Sequence, residues 1–198
     1  MPPTETEFVD DYLAQSADAL RTYSADAAQH GLLHAIAGAL TQALRDGGKV
    51  LIAGNGGSAG DAQHIAAEFT GRMLYDRPPM AAMALHCDTS ALTAVGNDYG
   101  FAHAFERQVQ AMARRGDVVW GLSTSGRSEN VIRALAAGRA LGLPTIAFTG
   151  AADNPMAVGC DFVLRAPSTS TPVVQQIHMV AGHLICALVE RAIHPRPH

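Results

Sequence analysis

Cysteine, positive charge and long apolar runs are all in short supply in this sequence, and each shortage removes a class of protein. The three cysteines, Cys87, Cys160 and Cys186, are widely spaced and form no C-x-x-C pair. That argues against a disulfide framework and against a cysteine zinc site. Lys and Arg total 14 against 18 Asp and Glu, for a formal net charge of −4. No basic run interrupts that balance, so nucleic acid is not expected as a partner. Apolar runs such as Met80 to Leu85 fall far short of the roughly 20 residues that span a bilayer, so no membrane partner is expected. The opening Met1-Pro2-Pro3-Thr4-Glu5-Thr6-Glu7 is acidic and polar, where a signal peptide is basic and then apolar. The expected location is the cytoplasm.

What remains fits a single domain over 1–198. With 48% hydrophobic and 16% charged residues, the chain can bury one sizeable core and is too apolar for disorder. Residues 5–46 read as two helices: Phe8, Tyr12, Leu13 and Leu20 make one apolar stripe, and Leu32, Leu33, Ile36, Leu40 and Leu44 another. Gly47-Gly48 stops the second. From residue 47 to 192 short apolar runs alternate with helical stretches. Strands are expected at 49–53, 80–85, 117–122, 144–148 and 161–165, and helices at 59–73, 101–113, 129–141 and 172–192. Continuous rather than alternating apolar strands, separated by helices, predict an α/β fold with a parallel sheet covered on both faces. Ligands in such sheets sit at the carboxyl ends of the strands.

Two turns fall there. Ser123-Thr124-Ser125-Gly126-Arg127-Ser128 puts four hydroxyls and a glycine between a strand and a helix. Orphan N–H groups and the helix dipole favour an anion at such a place, so a phosphate can be held without Lys. The plainer alternative makes Ser128 a helix N-cap and the other hydroxyls turn filler. Four hydroxyls exceed what a cap needs. The other turn, Gly54-Asn55-Gly56-Gly57-Ser58-Ala59, fits a loose dinucleotide fingerprint, but Asp88 comes later than the ribose-binding acid that fingerprint requires. Dinucleotide binding is the poorer reading.

His64 and Glu68 are four apart on the helix that leaves the glycine turn, and Asp61 sits one turn before them. On the last helix Gln175 and His183 are roughly 80° apart around the axis and can converge, with His178 between them. A carboxylate and two imidazoles so placed can bind a divalent cation such as zinc, or can supply a general base and a general acid. Taken singly, each has a bland explanation: a surface His–Glu pair, or a core or interface histidine.

In order and at compatible spacing from about residue 8 to 192, these blocks resemble the phosphoheptose isomerases, within the SIS (sugar isomerase) fold. The resemblance rests on Gly54-Asn55-Gly56-Gly57-Ser58, Asp61 through His64 to Glu68, Gly71-Arg72, Thr93-Ala94-Val95-Gly96-Asn97-Asp98, Ser123-Thr124-Ser125-Gly126 with Ser128, and Gln175, His178 and His183. It implies a doubly wound five-stranded parallel sheet and a homotetramer with active sites at subunit interfaces, residues 5–46 packing between subunits as much as on their own sheet. It implies conversion of sedoheptulose 7-phosphate to D-glycero-D-manno-heptose 7-phosphate, for nucleotide-activated heptose and cell-envelope glycans. By the same carry-over Glu68 is the base and His183 the acid. Asn55, Gly56, Gly57, Ser58, Ser123, Thr124, Ser125 and Ser128 hold phosphate and sugar, and Arg72, Asn97, Asp98 and Gln175 position the sugar chain. Zinc, where members bind it, is held by the counterparts of His64, Glu68, Gln175 and His183. Three departures stand out: Gln176 where the pattern has Glu, Pro172-Val173-Val174 where it has a basic residue, and Arg127 in place of a small polar one. A related SIS branch serves as a non-catalytic adaptor for a replication initiator, and other members isomerise other sugar phosphates.

Overall fold

The computed structural model describes residues 3–196; Met1, Pro2, Pro197 and His198, part of the expected 1–198 domain, lie outside the described residues. Five strands form one parallel sheet: β1 (Val50–Ala53), β2 (Ala82–Ala84), β3 (Val118–Leu122), β4 (Thr145–Thr149) and β5 (Phe162–Arg165), in the order β2-β1-β3-β4-β5. The three central strands are buried along their whole length, as the apolar runs at their centres require. The edge strands β2 and β5 are short and partly exposed.

The helices are α1 (Glu5–Ala25), α2 (Ala27–Arg45), α3 (Gly57–Thr70), α4 (Thr89–Tyr99), α5 (Ala104–Met112), α6 (Glu129–Ala140) and α7 (Thr171–Ile193). Thr4 and Glu7 close a capping box on α1, and Asp26 both ends α1 and caps α2. Alternate strand residues feed two cores. Ile52, Trp120, Ile146 and Phe148 face Ile36 and Leu40 of α2, Ile65 and Phe69 of α3, and Ile177 and Ile185 of α7. Leu51, Val119 and Ala147 face Phe105 and Val109 of α5 and Val131 and Leu135 of α6. The sheet is therefore doubly wound.

Four details differ from expectation. The helix expected at 59–73 starts at Gly57 and ends at Thr70. The one at 101–113 begins as a 3-10 turn, Phe101–His103, before α5. The helix α4 was not foreseen; Asp88, weighed as a ribose-binding acid, is its N-cap and accepts from Ala91 N at 2.9 Å. By length and composition α7 is apolar enough to cross a membrane, contrary to the estimate from apolar runs, but half of that window is buried inside the fold. Its apolar side is spent on the core.

Candidate active site

The strand order reverses between β1 and β3, and the carboxyl ends of those two strands carry the two turns singled out above. A crevice at such a switch point is where open α/β sheets bind ligands. The turns are tied across it: Asn55 Nδ2 donates to Asn130 Oδ1 at 2.8 Å, and Asn130 Nδ2 returns the bond to Asn55 Oδ1 at 3.0 Å. Ser128 occupies the N-cap position of α6 but makes no capping hydrogen bond. Its hydroxyl instead lies 2.9 Å from that of Ser123. Ser128 therefore does not cap α6 through its side chain; Asn130 Oδ1 accepts from Val131 N at 3.0 Å, and the hydroxyls cluster before the helix N-terminus, a place that favours an anion. Ser125 is exposed and Thr124 half-buried, while Ser58 and Ser123 are buried. Gly126 turns the loop at φ +62°, where an added Cβ would sit 2.1 Å from Asn154.

Helices α3 and α7 run side by side in the same direction. Gln175 lies against Gly57 at the start of α3, and His64 meets His183 farther along. Gly182 permits the approach, since a Cβ there would come within 2.9 Å of Ile65 Cδ1. His64 Nε2 is 2.9 Å from His183 Nε2 and 3.1 Å from Glu68 Oε1. The ligand atoms of His64, Glu68 and His183 all lie within 4.8 Å of one another. Two imidazole nitrogens facing at that distance need a shared proton or a cation between them, and two imidazoles with a carboxylate are a donor set suited to zinc. These three residues therefore fit a divalent metal.

Gln175 Nε2 donates to Asp61 Oδ1 at 3.0 Å, which leaves the Gln175 carbonyl oxygen facing the glycine turn. Burial pushes the Asp61 carboxyl above its usual range, while the Gln175 donor and nearby His64 pull it down. Arg72, Asn97 and Asp98 are exposed, and among the described residues none bonds to the turns or to the three converging side chains; Asn97 Nδ2 donates to Asp98 Oδ1 at 2.8 Å. His178 is core: it is buried, with Nε2 3.1 Å from the Thr149 carbonyl. Of the departures from the family pattern, Arg127 lies within the serine turn itself, where its backbone N–H donates to Ser125 Oγ at 3.3 Å. Gln176 Nε2 donates to Tyr12 Oη, Val173 and Val174 are buried, and the Arg127 guanidinium donates to the Asp153 carbonyl. Asn130 was missed by sequence reasoning; its position in the first turn after Ser128 was the available signal. A cavity of about 580 Å³, bounded by Ala67, Met83, Val95 and Met112 among others, is apolar and includes neither turn nor any of the three converging residues.

The SIS domain family model matches residues 11–150. The phosphoheptose isomerase of Rhodospirillum rubrum is 57% identical over 157 residues, covering 79% of this chain and 84% of that protein. That of Bradyrhizobium sp. is 50% identical over 185 residues, 93% of each chain. Among solved structures, phosphoheptose isomerase from Neisseria gonorrhoeae superposes with a TM-score of 0.88 at 40% identity, covering 94% of this chain and 99% of that one. A hydroxyl-lined crevice at the switch point, a carboxylate and two imidazoles converging from α3 and α7, and these likenesses lead to one assignment: the chain belongs to the phosphoheptose isomerase family of SIS-domain proteins.

Proposed function

We propose that the chain converts sedoheptulose 7-phosphate to D-glycero-D-manno-heptose 7-phosphate through an enediol, with Glu68 as base and His183 as acid. The observation that carries this is the convergence of Glu68 and His183, on helices far apart in sequence, to within 4.8 Å. Aldose–ketose isomerisation needs a group that moves a proton between two adjacent carbons and another that serves their oxygens. Glu68 takes the proton from one carbon and returns it to the next. His183 protonates and deprotonates the oxygens.

The phosphate sits on the hydroxyls of Ser123, Ser125 and Ser128 at the α6 N-terminus, with Ser58, Thr124, Asn55 and the backbone of Gly56 and Gly57 completing the cradle. Zinc would be held by His64, Glu68, Gln175 and His183, and when bound would supply Lewis-acid stabilisation of the enediolate oxygen. Arg72, Asn97 and Asp98, exposed in one copy of the chain, position the sugar where subunits meet in a homotetramer. The three cysteines are free, in keeping with a cytoplasmic enzyme that feeds heptose into cell-envelope glycans.

The test is an isomerisation assay with sedoheptulose 7-phosphate. Glu68→Gln and His183→Gln should each lower kcat by roughly 100-fold or more, the range expected for losing a positioned acid or base. Absence of turnover by the native chain with or without zinc, alongside retained sugar-phosphate binding, would overturn the catalytic reading in favour of a binding role.

A further inference from the structure

Where α3 ends, a buried ion pair stands outside the chemistry just described. The Arg77 side chain is 2% exposed and that of Glu190, near the end of α7, is 0% exposed; Nε and Oε1 are 3.2 Å apart. Taking two charges out of water is costly, and apolar residues of similar volume often serve stability as well or better. Stability alone is therefore a weak account of this pair.

Its other contacts supply a stronger one. Arg77 Nη2 donates to the carbonyl of Glu68 at 2.6 Å, and Nη1 donates to the carbonyls of Phe69 at 2.6 Å and Pro78 at 3.0 Å. Glu68 and Phe69 lie in the last turn of α3, whose carbonyls have no partner within the helix. The guanidinium closes that end with the charge its dipole favours. Glu190 completes the clamp by accepting from Met73 N and Leu74 N, both at 2.8 Å. His183 and Glu190 are seven residues apart on α7, two turns along nearly the same face. The end of α3 is thus fastened to the helix that carries His183.

We infer that Arg77 and Glu190 are positioning residues for proton transfer, holding the last turn of α3, and with it the Glu68 side chain, at a fixed offset from His183. Terminal helical turns open easily, and misplacing a catalytic group by about 1 Å can cost on the order of 100-fold in rate. Arg77 prevents this by gripping the carbonyl of Glu68 itself. The inference rests on the reading of Glu68 as the base.

Two variants test it, each checked by thermal melting. Arg77→Lys keeps a cation beside Glu190 but loses the planar fork that reaches two carbonyls and a carboxylate together. Arg77→Met with Glu190→Leu removes both charges, so neither is left buried alone. In each, kcat should fall by roughly tenfold or more while KM stays within about twofold, because the phosphate loops lie at the other end of α3. A folded variant with native kcat, or a loss confined to KM, overturns the inference. If the double variant does not fold, Arg77→Lys decides alone. Glu68→Gln runs alongside: if it is inactive while Arg77→Lys keeps native kcat, only this inference falls, whereas an active Glu68→Gln takes the base assignment down with it.

Discussion

His178 shows how the surroundings of one side chain set its chemistry. Burial pulls its imidazole down from 6.5 to about 4, so it stays neutral in the folded chain at pH values where the unfolded chain binds a proton. The stability this contributes is fully present above pH ~6.5 and is lost as pH falls toward 4, about 3 kcal/mol in all. His178→Gln, whose amide can still donate to the Thr149 carbonyl, should therefore show a shallower fall of its urea midpoint between about pH 7 and pH 4.5 than the native chain. Parallel curves would show that His178 does not set this dependence. From sequence His178 was open between a site residue and a core or interface histidine, because burial of one helical face depends on what packs there. Helical spacing offered Glu68 and His183 as candidates beside plainer readings, the family resemblance singled them out, and the structure brings them together with His64. Asn130, Arg77 and Glu190 were not legible, since their partners lie 75 and 113 residues away along the chain.

At the scale of elements, the central strands were easy to read and α4 was not, for one reason. Runs such as Val118–Leu122 are apolar at every position because both faces are covered. The helix α4 has no fully buried residue, so it lacks the stripe by which a helix announces itself. The start of α3 was also misplaced by two residues, because Gly56 leads into the helix at φ +55° with no side-chain cap to mark it. The loop after β3 depends on its own glycine. Gly126→Ala must place a side chain at positive φ, a cost of about 1–2 kcal/mol, and drive its Cβ into Asn154, 2.1 Å away. The expected outcome is a weakened affinity for inorganic phosphate and a raised KM for the sugar phosphate, with kcat less affected. Unchanged phosphate affinity by calorimetry would remove this loop from the anion site.

In the molecule as a whole, α1 presents Phe8, Val9, Leu13 and Leu20, which are 62%, 52%, 61% and 44% exposed. Four large apolar side chains left out on one helix are a surface awaiting a partner. The homotetramer proposed above supplies it with copies of the same chain. Phe8→Asp combined with Leu13→Asp should cost little within one subunit, both positions being exposed there, yet should yield a smaller species by sedimentation and lower activity. A variant that sediments like the native chain would show that this face is not the contact. Of the stripe read from sequence, Phe8, Leu13 and Leu20 are exposed while Tyr12 packs against the core, and Val9 completes the exposed set.

The parallel run of α3 beside α7 has a consequence for choice among sugars. One end of the pair meets the hydroxyl cradle and the other carries Glu68 and His183, so under the proposed reading the distance between anchor and chemistry is fixed by rigid helices. A five-carbon phosphate seated by the same anchor would end with its carbonyl short of the carboxylate. It would bind without reacting. Selectivity among sugar phosphates would then show as a difference in turnover more than in affinity, with the helical scaffold acting as a ruler for chain length.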